Sequence, residues 1–482
     1  MAAFGGSRAG VPGIRWIAKW FWVSRLIRPG QAALVFLMGA AILCTSCAAF
    51  SSRVISDPAP GAARLRAGGS LQAEVDLLAQ PLIDSGEARG MVVGVVGPGG
   101  TTRTYGYGRT DCGDGQSPGG DTIFQIGSVS KLFVDALLAR LVEERQLKYE
   151  DTVRSILPTN VPLSADAGGL TLYELVTGTG GLPRQPYGPT QMWYFLSFLF
   201  TGHNLYGCIN KEYLYDYLRT CRLPPKERRG YVYSNIGLGL LTHLIEVKTG
   251  RSISDLLEEK ICRPLNLHDT VLRLDEEQKC RLAVGHPGNQ PKFMPRSADM
   301  EPWDMGEILG GSCGLYSTAN DLMVFARANL GQLHHPLEPL LMSMQAVRVK
   351  TPREDVGLGW LVNYFNDGRL GIAYKQGMVS GYSSYVGVNV ERQVAVVVLC
   401  NNFNWDDKVG HNLLLRLSEA YAPAQGTQAS IAPVEASGRL ESNSESCGAG
   451  ILEGLWRPSA VCSPAESNQR QCVSFSTVAQ DR

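Results

Sequence analysis

The sequence predicts an α+β domain in which an antiparallel sheet is flanked by terminal helices, with a helical part inserted between the two halves of the sheet. Three observations predict it. β-rich runs occur near residue 90 and return after residue 356. The long stretch between them carries helical periodicity and polar loops. Apolar helical patterns stand before the first run and after the last.

Taken in order, LQAEVDLLAQPLIDSG places Leu71, Val75, Leu78 and Leu82 on one helical face. MVVGVVGPGGTTRTYGYGR then gives two β-rich segments about the turn GPGG, a hairpin signal. SKLFVDALLARLVEERQL reads as an amphipathic helix, and NIGLGLLTHLIEVKTG as a second, closed by Gly250. The β pattern returns in GLGWLVNYF, the turn NDG, RLGIAYK, YSSYVGVNV and QVAVVVLC. A last amphipathic helix is predicted from about Asp407 to Ala422. The expected organisation is a signal sequence or membrane anchor over 1–50, a linker over 51–69 and one domain over 70–422. Within the domain the sheet part covers about 70–125 and 356–422, and the helical part about 126–355. A Ser/Gly/Glu/Gln-rich tail over 423–482 is expected to be disordered.

Composition removes several function classes. Lys+Arg and Asp+Glu are equal at 45 each, so no net field draws a nucleic acid. Seven His occur, none in HExxH spacing, and the one CxxC, Cys44 to Cys47, lies in an apolar run, so no metal or other cofactor is predicted. Arg8, Arg15, Lys19, Arg25 and Arg28 precede the uncharged stretch Ala32–Phe50, the layout of an export signal or signal anchor. About 19 apolar residues is borderline for a bilayer, so cleavage and retention both stay open. Cys47 suggests a lipoprotein cleavage site, but Leu43 stands four residues before it, where three is usual. The expected location is periplasmic or otherwise extracytoplasmic. Ten of the 12 cysteines lie beyond Cys47, and export would permit disulfides. Cys208 with Cys221, and Cys262 with Cys280, are close enough in sequence to pair, while Cys313 and Cys400 read as buried thiols.

The chemistry-bearing segment is FQIGSVSK. It sets Ser128 directly before a helix and Lys131 three residues on, so that amine and hydroxyl share a face. A serine there lies near the positive end of the helix dipole, which favours an oxyanion. Alone, SxxK is equally a Ser cap with a solvated Lys. Tyr233-Ser234-Asn235 follows at the entrance of the second helix, and Lys375-Gln376-Gly377 at the end of a strand. Singly, these too have ordinary structural readings as core aromatic, helix cap and strand-edge lysine. Two further matches are expected to be structural. Lys248-Thr249-Gly250 spells KTG but ends a helix, and Tyr364-Phe365-Asn366 spells YxN but enters the turn Asn366-Asp367-Gly368.

Together and in this order, SxxK, YxN and KxG resemble the three motifs of class C β-lactamases and the related DD-peptidases and esterases. FQIGSVSK differs from the family signature F-E-[hydrophobic]-G-S-x-[SA]-K only in Gln125. TLYELVTGTGGLP resembles TLRxLLTHTSGLP, with Gly178 for His, and GGSCGLYSTANDLMVFA resembles GxGGLxSTAxDLxxFA. The similarity runs from about Ser70 to Ala422. It implies the β-lactamase/transpeptidase-like fold and a serine hydrolase acting through an acyl-enzyme on β-lactams or D-Ala-D-Ala peptides. An esterase on the same fold, or a penicillin-binding sensor without turnover, are the alternatives.

The resemblance assigns roles. Ser128 is the nucleophile and needs a base. Lys131 serves only if burial or a neighbouring cation such as Lys375 drives off its proton. Tyr233 serves as phenolate, and the family leaves the choice open. Asn235 presents its amide to the substrate, and the backbone N–H groups of Ser128 and Met378 form the oxyanion hole. Gln376 and Gly377 complete the third motif. Gln376 stands where a hydroxyl usually helps hold a substrate carboxylate, unless Ser380 or Ser383 supplies that hydroxyl.

Overall fold

The computed structural model describes residues 59–111, 115–186, 188–365, 370–404 and 408–421. Helices α1 (Ala59–Arg66) and α2 (Leu71–Asp84) lead into a hairpin of β1 (Gly90–Val96) and β2 (Thr102–Gly108). A short strand, β3 (Ile123–Gln125), precedes helix α3 (Ser130–Glu143). The helical part contains α4 (Asn235–Thr249), α5 (Gly306–Cys313), the short strand β4 (Tyr316–Thr318) and α6 (Ala319–Leu330) among other elements. Strands β5 (Asp355–Val356), β6 (Leu361–Phe365), β7 (Leu370–Val379), β8 (Tyr382–Asn389) and β9 (Val394–Cys400) follow, then helix α7 (Lys408–Ala420).

The N-terminal hairpin and the C-terminal strands form one seven-stranded antiparallel sheet in the order β2-β1-β9-β8-β7-β6-β5. The seam between chain ends is β1 against β9, with Val92 opposite Leu399 and Val95 opposite Val396. Strand alternation divides the apolar residues between two faces. Val93, Val95, Val396 and Val398 pack with Val75 and Ala79 of α2 and Leu413 and Leu417 of α7. Val92, Val96, Val397 and Leu399 face the larger core, where α3, α4 and α6 contribute Leu132, Leu240 and Leu322. Because both faces are covered, β9 is buried at every residue, and its sequence VAVVVLC is an unbroken apolar run rather than an alternating one.

Three expectations need correction. Helices α3 and α4 are not amphipathic over most of their length. Every residue from Ser130 to Ala139, and from Asn235 to Ile245, is buried, because both helices run through the middle of the domain. The expected linker contains helix α1, which packs on α7. The cysteines expected to pair are not bonded to one another. Cys208 lies 3.1 Å from Gln191 Oε1, and Cys280 lies 3.3 Å from the Glu276 carbonyl. The expected signal or anchor, the tail and the turn Asn366-Asp367-Gly368 lie outside the described residues. Among the described residues no helix is long and apolar enough to cross a membrane.

The terminal helices are held by Glu74 of α2, which is 3% exposed. Its carboxylate binds Arg64 of α1 and, at 3.0 Å, Arg416 of α7. Removing the acid strands the largely buried Arg416 without its counter-charge, so we expect Glu74→Ala to lower stability by about 2–4 kcal/mol in urea unfolding. Glu143→Ala, which removes an exposed pair with Arg140, should stay within about 0.5 kcal/mol.

Candidate active site

Ser128 occupies a single tight turn, Gly127–Val129, which feeds directly into α3. The turn is fixed from both sides. The Ile126 N–H donates to the Leu315 carbonyl at 2.9 Å. The Gln125 side chain, 1% exposed, bonds the backbone of Trp303 twice, through Nε2 to O at 2.8 Å and through Oε1 to N at 3.2 Å. An amide can donate and accept at once, which a carboxylate cannot. Lys131 follows on the same face of α3 and sits beneath the serine, with Nζ 3.1 Å from Ser128 Oγ.

The second motif arrives at the start of α4. Ser234, not Asn235, caps that helix, accepting from the Gly237 N–H at 2.9 Å and donating to the Pro183 carbonyl at 2.7 Å. The Asn235 side chain is thereby left for other work. Its Nδ2 donates to the Tyr206 hydroxyl at 3.2 Å, and its Oδ1 is buried without a partner. Tyr233 reaches the nucleophile candidate, with its hydroxyl 2.7 Å from Ser128 Oγ.

The third motif lies on β7. Lys375 is 5% exposed, and its Nζ is 5.2 Å from the centroid of the Tyr233 ring. Lys131 Nζ is 5.3 Å from the same centroid, so two lysines bracket one phenol. Further along, the β7 backbone passes so close to the Ser128 turn that a Cβ on Gly377 would stand 2.0 Å from the Ile126 carbonyl and 3.0 Å from the Ser128 nitrogen. A Cβ on Gly127 would stand 2.7 Å from the Met378 nitrogen. These contacts bring the Ser128 and Met378 amides to one place. The two expected decoys fall elsewhere. Lys248-Thr249-Gly250 ends α4, with Gly250 in the left-handed conformation (φ 68°) donating to the Glu246 carbonyl. Tyr364 and Phe365 end β6, on the far wall of the cleft, and Asn366 lies outside the described residues.

Ser128, Tyr233, Asn235, Lys375, Gln376, Gly377 and Met378 all line one cleft of about 1410 Å³. Burial alone would push the Tyr233 phenol up, but the two lysines and Arg184 outweigh it and hold the phenol below its ordinary range. Lys375 is held low, chiefly by burial, with Lys131 adding to the effect. Lys131 differs from the sequence expectation. Burial pulls it down, yet the Cys313 thiol and Tyr233 beside it hold it well above its ordinary value, so it stays an ammonium. The arrangement therefore eases ionisation of the Tyr233 phenol, next to a serine hydroxyl at the mouth of a helix. Among the described residues no three His, Cys, Asp or Glu side chains cluster as metal ligands.

Sequence reasoning missed three residues here. Cys313 is buried, as its sequence surroundings predict, but no role is assigned to it there; its sulfur is 3.0 Å from Lys131 Nζ and lines the cleft. Its signal was present, since it occupies a position where the pattern GxGGLxSTA has glycine. Arg184 lies 5.1 Å above the Tyr233 ring and had no sequence signal. Asp135, one turn beyond Lys131 on the same face of α3, is 1% exposed and has Oδ1 without a partner.

Comparison with known proteins agrees with this geometry. Residues 75–420 match the family model described as Beta-lactamase. The chain belongs to the β-lactamase family. It is 26% identical over 341 residues to the D-alanyl-D-alanine-carboxypeptidase/endopeptidase AmpH of Escherichia coli K12, covering 67% of this chain and 82% of that protein. It is 25% identical over 293 residues to a β-lactamase of Pseudomonas fluorescens, covering 59% and 73%. The structure of a class C β-lactamase from Rhodobacter sphaeroides superposes with a TM-score of 0.59 at 24% identity, covering 71% of this chain and 98% of that one. The protein is thus a β-lactamase-family serine hydrolase with the β-lactamase/transpeptidase-like fold.

Within this β-lactamase-family site, Asp135 carries its own pH signature. Burial pushes its carboxyl up to about 7, with Lys375 and Lys131 only partly opposing the shift. A carboxyl raised on folding stabilises the native state below its unfolded pKa, and that stability is lost as pH rises through the folded value. We therefore expect Asp135→Asn to remove a component of up to roughly 4 kcal/mol that the wild type loses between about pH 4 and pH 7. Urea unfolding of both proteins across that range reads it as a difference in slope.

Proposed function

We propose that the protein hydrolyses acyl compounds through an acyl-enzyme on Ser128. The observation that carries this reading is the position of Ser128 Oγ, which lies 2.7 Å from the Tyr233 hydroxyl and 3.1 Å from Lys131 Nζ at the entrance of α3. In the ionised state the Tyr233 contact reverses: the Ser128 hydroxyl donates to the phenolate. As Oγ attacks the substrate carbonyl, its proton moves to Tyr233, and the carbonyl oxygen becomes an oxyanion between the Ser128 and Met378 N–H groups. Tyr233 then returns the proton to the leaving group, and in the second half it takes one from the incoming water and passes it to Ser128 Oγ as the acyl–oxygen bond breaks. Lys131 stays cationic and, with the positive charge of Lys375 when protonated, keeps the phenol acidic. The orphaned Oδ1 of Asn235 accepts a substrate N–H, and its fixed Nδ2 contact with Tyr206 orients it.

The substrate reading is a carboxyl-terminal D-Ala-D-Ala peptide or a β-lactam, supported by the names of the relatives at about a quarter identity. An exported, membrane-held location belongs to the same reading and is supported by the basic-then-apolar N-terminal sequence. An intact-mass time course after adding a β-lactam tests it. We expect an adduct that forms and decays in the wild type and is absent from folded Ser128→Ala. A lasting adduct would mark a sensor, and labelling of the folded variant would overturn Ser128 as nucleophile.

A second reading, an esterase, is favoured by Gln376, whose longer side chain replaces the hydroxyl that would help hold a substrate carboxylate. The neighbouring hydroxyls are committed elsewhere. Ser380, fully buried, bonds the Glu301 carbonyl, Ser383 bonds the Cys400 thiol, and Ser384 donates to the Ile126 carbonyl at 2.7 Å. A hydrogen bond to a charged group contributes about 1.5–3 kcal/mol, so its loss slows carboxylate-bearing substrates roughly ten- to a hundredfold. We expect Gln376→Thr to raise kcat/KM for a β-lactam by that order while leaving nitrophenyl acetate hydrolysis unchanged. Equal gains on both substrates would show that Gln376 does not read the carboxylate.

A further inference from the structure

The acceptors around Lys131 are matched to its donors. An ammonium carries three N–H groups and has no acceptor. Lys131 Nζ has three partners: Ser128 Oγ at 3.1 Å, the Ser312 carbonyl at 3.1 Å and Cys313 Sγ at 3.0 Å. Two of the three come from the last two residues of α5. The final carbonyls of a helix lack intrahelical donors and carry its negative dipole end, so α5 is aimed at the lysine. The α5 terminus is fixed independently by Gly314, whose N–H returns to the Gly310 carbonyl at 2.7 Å. With two N–H groups directed at α5, the third is left for Ser128 Oγ and the Tyr233 hydroxyl beside it. A glycine at 313 supplies a backbone and no third acceptor.

We propose that Cys313 is a positioning residue for acylation, its sulfur holding the Lys131 ammonium so that one N–H is directed at Ser128 Oγ. The inference rests on the reading of Ser128 as nucleophile. The thiol acts through Lys131 and does not touch the substrate carbonyl. Its effect extends to the base, because the charge it fixes is one of the two that bracket the Tyr233 ring. Other groups also bear on Lys131: Tyr233 before α4, Asp135 on its own helix, Lys375 from β7, and the Tyr206 hydroxyl.

Two measurements on the full chain test the proposal. The first is the pH–rate profile for acylation by nitrophenyl acetate in the wild type, Cys313→Ala and Cys313→Ser. Without the sulfur acceptor Lys131 loses its proton more readily, so Cys313→Ala should fall roughly tenfold in acylation rate. Its alkaline limb should move about one pH unit lower, with KM little changed. Cys313→Ser keeps an acceptor and should recover most of both. A thiol that merely fills space would give Ala and Ser variants with the wild-type limb, and that result overturns the proposal.

The second measurement needs no turnover. Carbon-13 NMR of lysine-labelled protein, followed across the alkaline range, reads the Lys131 side chain directly. We expect its midpoint to fall in Cys313→Ala and return in Cys313→Ser, while an unmoved midpoint refutes the link between sulfur and lysine. Loss of acylation in the wild type together with a shifted Lys131 midpoint would reject the Ser128 reading and leave the Cys313 contact standing.

Discussion

The site depends on one close approach, that of β7 to the turn carrying Ser128. Only a residue without Cβ fits at 377, where a side chain would collide with the Ile126 carbonyl. That contact lets two backbone amides converge and brings Lys375 over the same phenol that Lys131 reaches from below. It also fixes what the surrounding elements must do. Gln125 clamps the strand before the turn to Trp303, Ser384 ties β8 to Ile126, and α3 passes straight from the turn into the core. The burial of α3 on all sides follows from this placement, since a helix whose first turn meets the central strands cannot lie on the surface.

The electrostatics follow from the same crowding. Two lysines, an arginine, a thiol and a carboxyl surround Tyr233 in a space where water screens little. Desolvation raises the phenol and the acid and lowers the lysines. What separates their outcomes is which partner each touches. Lys131, beside three acceptors, holds its proton, while Lys375, lowered first by burial and then by the field of Lys131, does not hold its own as tightly. Proximity to a cation is therefore a poor guide to which amine is acidic here. The sequence reading erred on Lys131 because the acceptors at Ser312 and Cys313 lie about 180 residues away in the chain.

What the sequence made legible was local or motif-borne. Helix α4 could be read from its apolar run and Gly250, and strands β7 to β9 from their β-rich runs. The motif positions could be read from their order. Long-range packing was not legible. Amphipathicity was the natural reading of α3, whose polar Lys131 and Asp135 point into the core rather than to solvent. The helix at Ala59–Arg66 has weak apolar patterning, and its docking rests on the Arg64–Glu74 pair and on Arg66 donating to the Glu419 carbonyl across the chain ends. Cysteine spacing suggested pairs, but close spacing in sequence fixes neither Cβ directions nor distances.

The sheet is closed by its two ends, β1 from the beginning of the domain against β9 near its finish. The Ser128–Lys131 pair is therefore made early during synthesis, while Lys375 and the Met378 amide reach it only after the last strands have emerged and paired. A growing chain holds a serine and a lysine but neither a paired phenolate nor an anion-binding pocket. Chemical competence is thus acquired in a single late step, when the final third of the domain closes over the first. On the reading of Ser128 as nucleophile, a nascent or clipped chain lacks the groups its last strands bring and is expected to be unreactive, so that reaction would report a completed fold.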